Sequence, residues 1–237
     1  MAKRPNIKGF FITGTDTGVG KTVITACLLS LFRKYSLDAG VMKPIETGVR
    51  PGQKIPSDAE LLIQTSGVAD SLSEVSPVRL KTPASPYQAS LVENRSIDVK
   101  TILQQYRILA TKHEYMLVEG VGGILTPITA KYKVIDLARD LGLPVIVVSR
   151  FTLGALNHTL LTVNTAQEAG LEIRGIIFNQ ITPAKKTAVE KSQPDLIRKL
   201  STVPVLGECP FIKDIANLTH KQLCVIEKKL GFDRLLS

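Results

Sequence analysis

The stretch FFITGTDTGVGKTVITACLL, residues 10–29, runs from an apolar strand pattern through a glycine-bearing loop into a helical pattern. The loop closes on Gly20-Lys21-Thr22, the ending of a nucleotide-binding P-loop, in the strand-to-helix context that such a loop requires. Gly18 and Gly20 let the backbone turn its N–H groups toward phosphate oxygens. Lys21 is placed to reach the terminal phosphates, and the Thr22 hydroxyl, at the positive end of the helix, is placed to ligate Mg²⁺. Two residues depart from the pattern. Thr15 stands where the first glycine is expected, and Asp16 puts a carboxylate in the middle of a loop built for polyphosphate.

Outward from this stretch, apolar strand patterns recur at residues 39–43, 116–119, 144–149, 174–179 and 205–208, besides 9–13. Several, such as PVIVVS and RGIIFN, are continuous rather than alternating, which belongs to parallel strands covered on both faces. Helical patterns lie between them at 22–35, 57–65, 97–112, 134–141, 156–169 and 184–200, with Ser57 at a helix start and Gly142 and Gly170 at helix stops. The alternation predicts an α/β fold: one doubly wound, mostly parallel sheet with helices on both faces, of the P-loop NTPase type, in a single domain over residues 1–237. Residues 71–90, with three prolines, read as loop around a short strand at 75–80.

A chain of 237 residues that is 44% hydrophobic buries a full core without cross-links. Cys27, Cys209 and Cys224 share no metal-like spacing, and Cys27 reads as a small hydrophobe on a helix. The basic start, residues 1–8, leads into an apolar run too short for a signal peptide, and no segment approaches the roughly 20 apolar residues of a membrane span. A cytoplasmic protein is expected. The net charge of +9 raises nucleic acid or anionic lipid as partners, but the Lys and Arg residues are dispersed and interleaved with acids, so neither is expected.

Ligands of such folds bind at the carboxyl ends of the strands, so the residues there carry the functional reading. Glu119 ends the strand MLVE and precedes Gly120-Val121-Gly122-Gly123, which places a carboxylate for the Mg²⁺ held by Thr22 and lets a ligand approach backbone. Asp58 starts a helix, where it serves either the metal or the helix dipole. Lys43 leaves its strand just before Pro44 and brings a cation beyond the terminal phosphate. Asn179 ends the strand IIFN and suits the edge of adenine; a guanine-specific protein would carry Asn-Lys-x-Asp there, whereas Gln180, Ile181 and Thr182 follow. His113, His158 and His220 lie far apart, so the available chemistry is phosphoryl transfer by positioning, cations and Mg²⁺.

GTDTGVGKT, KPIETG, SDAE, VEGVGG, LGALNH, FNQITP and LGECP, in this order, resemble the motifs of the dethiobiotin synthetase family through nearly the whole length. The resemblance implies ATP and Mg²⁺ as co-substrate and cofactor, and 7,8-diaminopelargonic acid and CO₂ as substrates. In the implied reaction a carbamate is phosphorylated to a mixed anhydride and closed to dethiobiotin, ADP and phosphate. It implies Lys21 and Lys43 as catalytic, and Thr22, Asp58 and Glu119 as metal ligands. Nucleotide contacts would come from Gly18, Val19, Gly20, Lys21, Thr22, Val23, Asp58, Glu119, Gly120, Val121, Gly122, Asn179, Gln180, Pro210, Phe211, Ile212 and Asp214. Acceptor contacts would come from Thr15, Lys43, Thr47, Gly154 and Asn157, the last two from the partner in a homodimer. Thr47 stands where many members have Ser, and Gly18 where others have Glu.

The alternative is a partition-type P-loop ATPase switch, which carries a signature Lys after the first P-loop glycine. Asp16 occupies that place. An acid aimed at the phosphates would repel them, so Asp16 is expected to point away, toward a substrate amine or neighbouring backbone.

Overall fold

The computed structural model describes residues 8–50, 52 and 55–236; residues 1–7, most of the basic start read above, lie outside the described residues. In chain order the first half holds β1 (Lys8–Gly14), α1 (Lys21–Lys34), β2 (Ala39–Met42), β3 (Ile45–Thr47), α2 (Asp58–Ser66), α3 (Leu72–Val75), β4 (Val78–Leu80), α4 (Pro86–Val92), α5 (Val99–Ala110) and β5 (Tyr115–Gly123). There follow β6 (Pro127–Thr129), β7 (Tyr132–Lys133), α6 (Val134–Leu141), β8 (Val145–Arg150), α7 (Ala155–Glu168), β9 (Ile173–Asn179), α8 (Ala188–Leu200), β10 (Val205–Cys209), α9 (His220–Leu230) and α10 (Phe232–Leu236).

Six strands form one parallel sheet in the order β10-β9-β8-β1-β5-β2. These are the six expected strands, and helices cover both faces. Phe10 and Ile12 of β1 pack on the side of α1, α2 and α9, while Phe11 between them packs with α5, α6 and α7. Burial on both faces explains why the strands read as continuous apolar runs. β1 lies at the centre, with β5 on one side and β8 on the other, so the chain leaving β1 opens the crevice where the strand order switches.

Helix ends follow local chemistry. Ser57 caps α2 in a capping box with Glu60. The helix expected over 184–200 begins only at Ala188, because Thr187 and Glu190 form a capping box that fixes the start there. The expectation of irregular chain over 71–90 is corrected: Ser71 and Glu74 box the short helix α3, the strand is limited to Val78–Leu80, and Pro86 occupies the first turn of α4. β3 had no sequence signal of its own; it forms because β4 pairs with it in parallel, Glu46 opposite Arg79. The C-terminal segment, a weak amphipathic pattern in sequence, packs inward through Ile226, Leu230, Phe232 and Leu235. Gly207 of β10 permits this, since a Cβ there would lie 1.8 Å from the Lys229 carbonyl oxygen.

Candidate active site

The P-loop spans the turn from β1 to α1. Gly20 caps α1 at φ +85°, and a Cβ on it would lie 2.0 Å from Asn179 Nδ2. That closeness has a partner bond: Asn179 Nδ2 donates to the Val19 carbonyl at 3.0 Å, so the end of β9 latches the loop. Asn179 Oδ1 is buried with no partner among the described residues. The Asp16 carboxylate is bonded to the backbone of its own loop. Its Oδ1 accepts from the Thr17 N–H at 2.7 Å and the residue is exposed, which fulfils the expectation of a backbone partner. Lys21 is buried, with Nζ 3.4 Å from the Asp16 carbonyl oxygen; burial and the nearby Lys43 lower its pKa to about 8.

Lys43 follows β2, with its backbone N–H bound to the Val75 carbonyl at 2.9 Å. Its Nζ donates to Glu119 Oε1 at 2.5 Å and to the Gly120 carbonyl at 3.3 Å, and lies 3.4 Å from Asp58 Oδ2. Burial works against its charge, but Glu119 and Asp58 outweigh burial and hold the pKa above its usual value. Thr22 Oγ1 donates to the same Glu119 oxygen at 2.9 Å. Glu119 is wholly buried, and its second oxygen, Oε2, has no partner among the described residues. Five expected residues from four segments, Lys21, Thr22, Lys43, Asp58 and Glu119, therefore meet at the carboxyl ends of β1, β2 and β5. An orphaned buried carboxylate oxygen beside a hydroxyl and a second carboxylate is a donor set of hard oxygens, and it fits Mg²⁺. Among the described residues no group of three or more His, Cys, Asp or Glu side chains is arranged for a metal, so hydroxyl, phosphate and water oxygens would have to complete the shell.

The remaining expected residues are spread around this centre. Val19 is buried under the loop, Gly18 is exposed, and Val23 is half-buried in the first turn of α1. Gly120, Val121 and Gly122 continue β5, and Thr126 Oγ1 accepts from the Gly123 N–H at 2.9 Å to close that turn. Cys209 pairs with Asn179 in register, which sets Pro210, Phe211 and Ile212 beside the end of β9; Asp214 is exposed and accepts from Asn217. Gln180 spends its amide N–H groups on the Thr182 and Ala184 carbonyls, at 3.0 and 2.9 Å, and so braces its own loop. Thr47, half-buried, ends β3. Thr15 bonds through its N–H to the Val148 carbonyl and borders an open cleft of about 380 Å³ lined also by Asp16, Gly123, Leu125, Thr126 and Leu161. Gly154 caps α7 at φ +87° with no side-chain cap, and Asn157 is exposed. Neither hydrogen-bonds the P-loop or Lys43 within the described chain.

Sequence reading missed two features. Glu46, inside KPIETG, is 4% exposed and accepts from Arg79 and from the Ala59 N–H. Its place directly after Ile45 in that motif was its only signal. Cys27 and Cys209 lie with sulfurs 4.0 Å apart in the core, and the contact with Cys209 together with burial pushes the Cys27 thiol up.

A family model described as an AAA domain matches residues 8–219. The ATP-dependent dethiobiotin synthetase BioD of Thermodesulfovibrio yellowstonii is 42% identical over 87% of this chain and 90% of its own length. The protein of the same name from Bacillus velezensis is 38% identical over 98% of this chain and 97% of its own. Among solved structures, a ParA family ATPase from Chlorobium tepidum TLS superposes with a TM-score of 0.55 at 14% identity, covering 97% of each chain, a likeness of fold alone. Identity at this level, over nearly the full length and with the P-loop fold around it, settles kinship: the chain belongs to the ATP-dependent dethiobiotin synthetase family of P-loop proteins.

Proposed function

We propose that this protein closes the ureido ring of dethiobiotin, using ATP and Mg²⁺ to join CO₂ to 7,8-diaminopelargonic acid. The observation that carries the reading is the Lys43–Glu119–Thr22 contact set at the mouth of the P-loop, with Lys21 alongside. It gathers two cations and a hydroxyl where the γ-phosphate of a P-loop nucleotide would end.

In this reading one substrate amine adds to CO₂ and loses a proton, giving a carbamate. A carbamate oxygen attacks the γ-phosphorus, and ADP leaves. The second amine then attacks the carbamoyl carbon and loses a proton, the C–O bond to phosphate breaks and phosphate leaves, and the ring closes. Lys43, held charged by Glu119 and Asp58, stabilises the negative charge on carbamate and transferred phosphoryl group. Lys21 spans the phosphates, and loop N–H groups freed by Gly18 and Gly20 orient them. Thr22, Asp58 and Glu119 would hold Mg²⁺, which supplies charge neutralisation on the phosphates. Asn179 Oδ1 would accept from an exocyclic amine, which adenine has where guanine has a carbonyl; this favours ATP. Gln180, Pro210, Phe211, Ile212 and Asp214 would frame the base.

Thr15 and Thr47 would bound the acceptor near its amines. Its distant carboxylate would reach Gly154 and Asn157 of a second copy, at the N-terminus of α7, whose first N–H groups have no side-chain cap. Exposed Leu125, Leu153 and Leu161 near that helix suit a homodimer contact. A cytoplasmic location goes with this reading; among the described residues no helix is long and apolar enough to cross a membrane.

The deciding experiment is phosphate release from ATP with and without diaminopelargonic acid and bicarbonate. Dependence on both supports the ligase. Release indifferent to them but stimulated by DNA or lipid would replace it with a partition-type switch.

A further inference from the structure

Asp58 is the least constrained member of the centre. Its side chain is 49% exposed and, among the described residues, meets the cluster through Lys43, at 3.4 Å. Where its carboxylate sits therefore depends on where α2 begins. Besides the Ser57–Glu60 capping box, three contacts bear on that start, and they converge on one ion pair. Glu46 Oε1 accepts from the N–H of Ala59, the residue after Asp58, at 3.4 Å. Arg79 Nε donates to Glu46 Oε2 at 3.4 Å, and Arg79 Nη2 donates to Oγ of Ser57, the α2 cap, at 3.1 Å. Glu46 and Arg79 face each other across β3 and β4, a two-stranded parallel sheet apart from the main one.

We propose that the Glu46–Arg79 pair is a positioning device for the metal, a clamp on both sides of Asp58 that sets its carboxylate against Lys43 and the cation. The proposal rests on the reading of Thr22, Asp58 and Glu119 as Mg²⁺ ligands and extends it to residues that touch neither metal nor substrate. The physical case is one of freedom removed. A half-exposed aspartate at a helix start samples several rotamers, and the backbone beneath it frays unless its N–H groups are bound. Here Ser57 and Ala59, on either side, are both tied to the same pair, whose Glu46 is buried and whose Arg79 is partly exposed. The small sheet adds a geometric lever, since Glu46 lies three residues after Lys43 on one continuous segment. The clamp thus holds the α2 carboxylate and the catalytic cation in one frame. Partners behind metal ligands of this kind change metal affinity by about 10-fold or more when lost.

The test compares Glu46→Ala, Arg79→Ala, the double variant and Glu119→Gln. The Mg²⁺ concentration giving half of the thermal stabilisation in saturating ADP reads metal binding without turnover; kcat and KM for ATP are measured beside it. The proposal expects each single variant to raise that concentration about 10-fold. The double variant should raise it no further than the larger single effect, because the pair acts as one clamp. Arg79, with its side chain 28% exposed, carries the test alone if Glu46→Ala does not fold. A lowered metal-free melting temperature with unchanged Mg²⁺ half-saturation, while Glu119→Gln shifts it, would make the pair a structural brace and overturn the proposal with the metal reading intact. An unshifted Glu119→Gln would remove the metal reading and the proposal with it.

Discussion

Lys43 Nζ sits 2.5 Å from Glu119 Oε1, and both side chains are sealed from solvent, at 5% and 0% exposure, while the other Glu119 oxygen has no partner among the described residues. In the absence of a cation, Lys43 is the nearest charge that keeps this carboxylate compensated. In the proposed reaction the same lysine would be offered to the phosphoryl group, so one contact would serve both the resting fold and the chemistry.

Replacing Lys43 by Ala should therefore do two separable things. Turnover should fall by about 100-fold or more at saturating ATP, the scale for losing a charge aimed at the transition state. The metal-free protein should also lose about 3 kcal/mol in urea unfolding, because Glu119 stays buried and uncompensated. Adding Glu119→Gln to Lys43→Ala should restore much of the stability and none of the turnover. Near-normal turnover of Lys43→Ala would end its catalytic assignment.

Gly20 and Gly18 make a matched pair for the P-loop latch. Both have positive φ, but a Cβ on Gly18 meets open space, whereas one on Gly20 lands on Asn179 Nδ2. Gly18→Ala should bear only the backbone strain, about 1–2 kcal/mol. Gly20→Ala adds loss of the Asn179–Val19 bond and should weaken ATP binding about 10-fold beyond Gly18→Ala, given roughly 1 kcal/mol or more for the latch. A fluorescent ATP analogue measures this; equal affinities in the two variants would mean that the latch does not shape the site.

At the opposite end of the sheet, His113 bonds Asp38 Oδ1 at 2.8 Å and Asp70 Oδ2 at 2.7 Å, with Lys112 on the other Asp70 oxygen and on Glu74. Burial draws the imidazole pKa down, but the two aspartates outweigh it and raise it above the ordinary 6.5. A raised folded-state value means that the imidazolium's stabilisation is whole below pH 6.5 and drains away as pH climbs through that higher value. The melting temperature should thus fall between pH 6 and 8.5 by about 2 °C more than in His113→Gln, which does not titrate. The same or a reversed slope in the variant would show that the imidazole is neutral in the fold.

Shared sites predict complementation. Lys43→Ala and Gly154→Ala, each low in activity alone, should regain part of it when mixed and re-equilibrated, because some heterodimer sites carry neither lesion. Subunit exchange followed by the acceptor-dependent assay measures it. Confirmed heterodimers without recovered activity would place Gly154 outside the site or within its own subunit's.

The sequence determined most of this protein by itself, because the signals involved are local. Six strands and their intervening helices announced themselves through apolar runs and helical periodicity, and the P-loop through residues adjacent in chain. Asp16 facing its own backbone was legible too, since an acid in a phosphate loop has few tolerable orientations. What only the tertiary structure decided depends on pairs distant in sequence. β3 exists because β4, some thirty residues on, offers it a partner, and Glu46 matters because Arg79 comes with that strand. The single Glu119 oxygen shared by Thr22 and Lys43, with its twin left bare, is set by the close approach of β2, β5 and α1. No pattern within one segment encodes such a distance, because it is fixed by how three elements pack and not by any of them alone.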